Sequence, residues 1–195
     1  MISKKIKNEI RILGIDDAPF TEKQEECFVV AVVFRGGSFM DGLLSCKVKV
    51  DGDDSTTKLT ELINKSKHKD QLKVIMLDGI ALAGFNVVDI NELSKKTRLP
   101  VIAVMRYFPD LGDIEKALQR VKGGEKKLDL IRKAGKIYEV EIRGKKIFIQ
   151  PAGISAEEAS RIVKLSSTRS LQPEPLRVAH LIASGIVKGE SRGRA

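Results

Sequence analysis

The hydrophobic positions of this sequence fall into short runs that end in acidic or glycine-rich turns. The clearest run is Val74–Ile80 (VIMLDGI), in which four consecutive apolar residues precede Asp78. An uninterrupted apolar run of this length predicts a strand buried on both faces of a sheet. Ile10–Ile15 (IRILGI) predicts another strand, which leads directly into Asp16 and Asp17. Two different strands are therefore expected to deliver a carboxylate at their last residue.

Three further runs complete the predicted sheet. Buried strands are expected at Cys27–Phe34 (CFVVAVVF) and Pro100–Val104 (PVIAV), and the alternation in Leu43–Val50 (LLSCKVKV) predicts a strand with one solvated side. Two helices are predicted between these runs, one beginning at Ser55 and one spanning Val88–Lys96. The resulting order is β-β-β-α-β-α-β.

This order constrains how the strands lie in the sheet. Short connections make the first three strands an antiparallel meander, and right-handed crossovers make the later ones parallel. If the first strand pairs with the Val74 strand, the sheet order is 3-2-1-4-5, and Asp16 lies beside Asp78. We therefore expect an α/β fold with a ribonuclease H-like mixed sheet flanked by helices.

The pattern beyond Arg106 is mostly helical, with one small hairpin. Ser155 and Glu158 have the spacing of a capping box, which predicts the start of a helix. The other predicted segments are helices around Ile114–Val121 and Leu128–Ile131, a hairpin of Ile137–Ile142 and Ile147–Ile149, and a last helix over Leu176–Val187. We expect a single domain over residues 1–195, with a flexible tail at 188–195.

Composition adds a candidate partner and a compartment. The chain has 35 Lys and Arg against 26 Asp and Glu, a formal charge of +9 that favours a polyanionic partner such as nucleic acid, although a merely soluble basic protein would also fit. Cys27 and Cys46 lack the spacing of a zinc or redox motif and are predicted to be reduced core residues. With no signal-like start and no apolar run near 18 residues, we expect a cytoplasmic protein without a membrane segment.

The strand-ending acids have the chemistry of a metal site. Mg²⁺ typically binds one or two protein carboxylates together with water and substrate phosphates, and two such ions can activate water and stabilise a leaving oxygen. Asp51, Asp53 and Asp54 precede the first helix and offer a third acid. Each acid also has a plain structural explanation, since Asp54 can cap that helix and the others can form turns. Their joint placement favours a site.

Several motifs resemble an uncharacterised archaeal protein family distantly related to endonuclease V. The resemblance covers nearly the whole chain and rests on GID at Gly14–Asp16, LDG at Leu77–Gly79, PVIAV leading to Arg106, GIS and EA across Gly153–Ala159, and PEPLRVAH near the C-terminus. The likeness to endonuclease V itself rests mainly on the two aspartates and the order of elements. Endonuclease V enzymes have a ribonuclease H-like fold and cleave DNA or RNA near deaminated purines, using Mg²⁺ or Mn²⁺ held by acids.

The resemblance implies roles for individual residues. Asp16 and Asp78 match metal ligands, and Asp54, or else Asp53 or Asp51, is the nearest substitute for a glutamate that the enzymes carry. Arg106 stands where the enzymes have a lysine. The histidine expected near Pro151–Ser155 and the aromatic-proline wedge expected near Gly36–Gly42 are absent, and Phe39 is the only aromatic residue in the latter segment. His180 is interpreted as a packed or partly exposed helix residue and His68 as a solvated one.

Three functional classes fit these observations. The first is a metal-dependent nuclease of weak or altered specificity, with Asp16, Asp54 and Asp78 as ligands of Mg²⁺ or Mn²⁺. The second is a nucleic-acid-binding module that keeps the fold, and the third is a protein-interaction subunit. For a nucleic-acid partner, the predicted contact residues are the cations Arg106, Lys188, Arg192 and Arg194.

Overall fold

A seven-stranded mixed sheet organises the protein. The computed structural model describes residues 6–21 and 23–191. The strands are β1 (Arg11–Asp17), β2 (Glu26–Arg35), β3 (Phe39–Lys49), β4 (Val74–Asp78), β5 (Ala81–Leu82), β6 (Asn86–Val87), β7 (Val101–Met105), β8 (Tyr138–Ile142) and β9 (Lys145–Ala152). The helices are α1 (Ser55–Asn64), α2 (Ile90–Thr97), α3 (Leu111–Leu118), α4 (Gly124–Lys133), α5 (Ala156–Ser166) and α6 (Glu174–Lys188).

The strand order of the sheet is β3-β2-β1-β4-β7-β9-β8. Its first five members are the five strands predicted from the sequence, in the predicted 3-2-1-4-5 order, so the ribonuclease H-like arrangement is confirmed. β1, β4 and β7 run parallel to one another. The hairpin of β8 and β9 is not a separate appendage, because β9 pairs antiparallel with β7 and continues the sheet. The two-stranded hairpin of β5 and β6 was not predicted.

Both faces of the central strands are covered, which explains their unbroken apolar runs. In β4, Ile75 and Leu77 belong to one core cluster together with residues of α1 and α2. Val74 and Met76 belong to a second cluster on the opposite face, together with residues of α5, α6, β8 and β9. The alternation of β8 and β9 follows from this second cluster, since their inward residues Val140, Ile142, Ile147 and Ile149 are buried in it.

Helix α6 lies close against β1 because Gly14 has no side chain. A Cβ atom at Gly14 would lie 2.4 Å from the carbonyl carbon of Pro175, in the first turn of α6. Ala179 and Ala183, one and two turns further along, are fully buried. Small residues on both elements thus set the distance between the helix and the strand that ends in Asp16.

Other sequence-based expectations are met in detail. Ser155 caps α5, and its Oγ accepts a hydrogen bond from the Glu158 amide at 3.2 Å. Both cysteines are free, Cys27 buried and Cys46 half-buried. Burial raises the pKa of Cys27 to about 12 and that of Cys46 to about 11, so neither is a reactive thiolate. Within the described ranges, no helix combines the length and the apolar character needed to cross a membrane.

Candidate metal and nucleic-acid site

Asp16 and Asp78 occupy adjacent positions at the carboxyl ends of β1 and β4. Ile15 pairs with Leu77 in the parallel register, and each acid is the next residue of its strand. Neighbouring strands lie about 4.8 Å apart, so the two carboxylates share one end of the sheet. This is the edge at which open α/β sheets bind their ligands. Asp16 is almost entirely buried, with only 5% of its surface exposed.

The carboxylate of Asp16 is held from two sides. Its Oδ1 accepts a hydrogen bond from the backbone amide of Asp17 at 2.9 Å, and its Oδ2 lies 2.9 Å from Nδ1 of His180 on α6. The hydrogen bond to Asp16 raises the pKa of His180, and the charges of Asp16 and Asp78 add to this against the opposing effect of burial. His180 is partly exposed, as expected, and its ring contacts Asp16 directly.

Asp78 is held by a residue that no sequence motif indicates. Gln172 is buried and donates a hydrogen bond from Nε2 to Oδ2 of Asp78 at 2.8 Å. Its Oε1 accepts a hydrogen bond from Nη2 of Arg106, also at 2.8 Å. Arg106 therefore reaches the site through Gln172. A neutral amide in a loop carries no motif, and only its position just before the proline-rich start of α6 distinguishes it.

The two acids are electrostatically coupled. Burial raises the pKa of Asp78 to about 6, and the negative charge of Asp16 adds to this increase. Gln172, Arg106 and His180 act in the opposite direction but do not cancel it. Burial and the neighbouring carboxylate of Asp16 therefore both oppose ionisation of Asp78.

Asp17 ties the site to the neighbouring hairpin. Its Oδ2 accepts a hydrogen bond from the amide of Ala83 at 2.9 Å. Burial, with the charge of Asp16, raises the pKa of Asp17 to about 6. The carboxylate that follows Asp16 is therefore a structural link between β1 and the segment after β5, as well as a second source of charge repulsion.

Asp54 is engaged elsewhere. Its Oδ1 accepts hydrogen bonds from Nδ2 of Asn86 at 2.7 Å and from the amide of Lys49 at 3.1 Å. Although Asp54 precedes α1, its side chain makes no capping hydrogen bond. Asp51 likewise accepts a hydrogen bond from the amide of Phe85 at 2.7 Å. The loop after β3 is thus fastened to the β5–β6 hairpin, which explains why these acids are directed there.

The structure consequently brings together two of the three predicted ligands. Across residues 6–21 and 23–191, no group of three or more His, Cys, Asp or Glu side chains is arranged to share a metal ion. Asp16 and Asp78 are neighbours, and Asp54 is not grouped with them. Of the predicted nucleic-acid contacts, Arg106 and Lys188 are exposed, and Arg192 and Arg194 lie outside the described residues.

The donor set fits one hard cation. Two adjacent carboxylates are the protein contribution that Mg²⁺ commonly uses, the remaining positions being filled by water and phosphate oxygens. A divalent cation would also offset the effects that oppose ionisation of Asp78, since a nearby positive charge favours the ionised form of a carboxyl. The mutual placement of these two acids thus agrees with the chemistry of a Mg²⁺ or Mn²⁺ site.

The chain is similar to several known proteins. The UPF0215 protein of Methanothermobacter thermautotrophicus is 54% identical over 194 residues, which is 98% of this chain and 95% of the relative. A crystal structure of an Archaeoglobus fulgidus protein matches with a TM-score of 0.83 and 39% identity, covering 91% of this chain and 98% of the other.

The likeness to endonuclease V is one of fold. Ciona intestinalis endonuclease V, solved in complex with a 24-mer DNA containing an inosine followed by a ribo-adenosine, matches with a TM-score of 0.60 and 19% identity over 92% of this chain and 87% of the enzyme. The family model described as Endonuclease dU matches residues 8–187. The chain therefore belongs to the Endonuclease dU family, an archaeal group related in fold to endonuclease V.

Proposed function

We propose that this protein is a divalent-metal-dependent endonuclease that acts on DNA, with Asp16 and Asp78 as its metal ligands. The observation that carries the proposal is the side-by-side position of these two acids at the carboxyl ends of β1 and β4. A divalent cation bound there would orient and activate water and stabilise the leaving oxygen of a phosphodiester.

The surrounding residues hold the acids in position. His180 fixes one oxygen of Asp16, and Gln172 fixes one oxygen of Asp78. Outer partners of this kind orient ligands and typically change metal affinity or activity 10- to 100-fold when they are removed. Arg106, bonded to Gln172, adds a positive charge where the phosphate of a substrate would lie. The sequence lacks a histidine near Pro151–Ser155, but His180 of α6 places an imidazole beside Asp16.

The family description and one solved endonuclease V complex indicate which substrates to test. The family description refers to dU, and the solved endonuclease V was complexed with DNA containing inosine. Deoxyuridine in DNA is therefore the first substrate to test, and inosine the second. Because the sequence lacks the aromatic-proline wedge and the described residues group no third carboxylate with Asp16 and Asp78, we propose slow cleavage with weak lesion specificity and better activity with Mn²⁺ than with Mg²⁺. A positioned acid or base is worth about 10² to 10⁴ in rate.

The test is cleavage of end-labelled DNA containing deoxyuridine, inosine or neither, and of matching RNA, with each metal. Asp16→Asn and Asp78→Asn should abolish metal-dependent cleavage, because the amide removes the charge but keeps the size. Asp129→Asn, at an exposed position of α4, serves as the control and should cut normally. Equal cleavage by Asp78→Asn and the unchanged protein would contradict the proposal.

Asp54→Asn decides the remaining ligand question. If Asp54 only fastens its loop, the amide oxygen can still accept the hydrogen bonds from Asn86 and Lys49, and cleavage should persist. A loss as large as that of Asp78→Asn would instead make Asp54 a ligand.

A nucleic-acid-binding module is the second candidate. The absence of a third carboxylate from the acid group, among the residues described, favours it. Metal-independent DNA binding without cleavage under any metal would select this candidate.

A further inference from the structure

A groove is lined in part by Gln172, the residue that also contacts Asp78. It has a volume of about 400 Å³ and is lined by the segment that follows β7, the start of β9 and the loop before α6. Gln172 belongs to its lining and also donates a hydrogen bond to Asp78. The groove is therefore one side chain away from the candidate site.

Cations dominate the charged lining of this groove. Arg106, Lys145 and Lys146 line it, and none of the other described residues in its lining is acidic. Lys146 forms an ion pair with Glu139 at 3.0 Å. Lys145 is exposed and has no ion pair among residues 6–21 and 23–191. Clustered cations with one sign of charge attract a phosphate backbone.

The groove also contains an unpartnered aromatic ring. Tyr107 lines it and is 82% exposed. The next residue, Phe108, packs edge-to-face on Phe148 of β9, with the ring centroids 5.5 Å apart. The backbone that carries Tyr107 is therefore anchored by its neighbour, while the tyrosine ring has no ring partner within the described part of the chain. An anchored, solvated ring beside cations has the properties of a platform for a nucleic-acid base.

We propose that this groove binds an unpaired stretch of a DNA strand next to the cleavage site, with a base stacked on Tyr107 and phosphates contacting Arg106 and Lys145. A phosphate contact alone would need only the cations, and stacked bases inside a duplex cannot cover the ring, so the combination selects a single strand. The choice of DNA rests on the proposed function. The groove would provide a surface that holds a base outside the helix, a role for which the sequence has no aromatic-proline wedge.

The experiment measures binding rather than cleavage. Fluorescence anisotropy with a short labelled single-stranded DNA, its RNA counterpart and the duplex is recorded in EDTA, so that the metal site does not contribute. We expect tighter binding of the single-stranded DNA than of either competitor. Tyr107→Ala should weaken binding roughly 5- to 150-fold, since stacking contributes on this scale per base, whereas Tyr107→Phe should bind normally.

Matched variants separate the ring from general effects. Tyr138→Ala removes the other tyrosine of the chain, which lies outside the groove beneath the ammonium of Lys136, and should leave binding unchanged. Lys145→Ala should reduce the slope of log affinity against log salt by about 0.7, the value for one phosphate contact on a single strand.

Three results would overturn the inference: equal binding by Tyr107→Ala, no preference for single-stranded DNA over the duplex, or tighter binding of RNA. Failure of the proposed function looks different, because it appears in the cleavage assay as activity that survives Asp78→Asn. A stacking loss in Tyr107→Ala together with such activity would support the groove and refute the metal site.

Discussion

At the residue scale, the main feature is the pair of adjacent acids Asp16 and Asp78, of which Asp78 resists ionisation. Asp78 has a pKa raised to about 6, chiefly by burial and next by the charge of Asp16. A carboxyl with a raised pKa stabilises the folded state while it is protonated. This contribution is complete below its ordinary value of 3.8 and is lost as the pH rises through about 6. Without metal, the protein should therefore be less stable at pH 7.5 than at pH 5 on account of this group.

Divalent metal should reverse that loss. At pH 7.5, Mn²⁺ at 100 times its dissociation constant should stabilise the protein by about 2.7 kcal/mol, or roughly 5–10 °C in melting temperature. Asp78→Asn should raise the metal-free melting temperature at pH 7.5 and abolish the response to Mn²⁺. Thermal unfolding with and without EDTA measures both effects, with Asp129→Asn as the control. An equal Mn²⁺ response in Asp78→Asn would exclude this residue as a ligand.

Gln172 should act as a positioning residue. Gln172→Ala removes the hydrogen bond that lowers the pKa of Asp78, so that pKa should rise and metal-dependent cleavage should fall about 10- to 100-fold. The pH profile of activity should shift to higher pH, which a purely structural loss would not produce.

Gln150→Ala is the matched control for this variant. Gln150 is also a buried glutamine, and its Nε2 donates to the carbonyl oxygen of Gly135, away from the acids. The Gln150→Ala variant should be less stable, but its pH profile of activity should not shift. If both glutamine variants behave alike, Gln172 has no special role.

The sequence revealed the acids but not their partners, for physical reasons. Asp16 and Asp78 end buried strands, and a charge directly after an apolar run is visible in any sequence. His180 and Gln172 act across separations of 164 and 94 residues, which no local pattern encodes. Asp54 was predicted as a ligand because it follows the third strand, yet its side chain is bonded to Asn86 on the β5–β6 hairpin. That hairpin is too short to leave a periodic signal in the sequence.

At the scale of elements, α6 and β1 together define the site. The five central strands were predictable because burial on both faces demands continuous apolar runs. The attachment of β9 to β7 could not be predicted, because alternating residues are expected both in a separate hairpin and in a hairpin that extends the sheet. The close contact of α6 with Gly14 brings His180 within hydrogen-bond distance of Asp16.

Gly14→Ala should disturb both the fold and the site. The added methyl group would lie 2.4 Å from the carbonyl carbon of Pro175, so the first turn of α6 must shift. Overpacking of this kind costs about 1–3 kcal/mol, and the shift should also move His180 away from Asp16. Urea unfolding and the cleavage assay measure the two effects.

Gly185→Ala provides the contrast on the same helix. A Cβ at Gly185 meets no atom within 4 Å, so this variant should be neutral or more stable by up to about 1 kcal/mol through helix propensity. Normal activity in Gly14→Ala would show that the helix–strand distance is not critical for the site.

At the scale of the whole molecule, a formal charge of +9 should govern DNA affinity. The logarithm of the binding constant should fall linearly with the logarithm of salt concentration, by about 0.7–0.9 for each phosphate contacted. Replacing Arg106, Lys188, Arg192 and Arg194 together by alanine should reduce this slope by the number of them that contact phosphate. Salt titrations by anisotropy provide the measurement.

Replacement of two exposed cations elsewhere tests whether position matters. Lys65 and Lys116 are exposed cations paired with acids on their own helices, and their replacement by alanine should leave the slope unchanged. Affinity that does not vary with salt would remove nucleic acid as the partner.

The long separation between the acids and their partners has a consequence for synthesis. Asp16 and Asp78 are translated early, whereas Gln172 and His180 follow near the end of the chain. Because a domain generally folds as a unit, a nascent chain can contain the acids before the groups that orient them have been made. For the proposed nuclease, a fragment that ends before Gln172 should therefore be inactive.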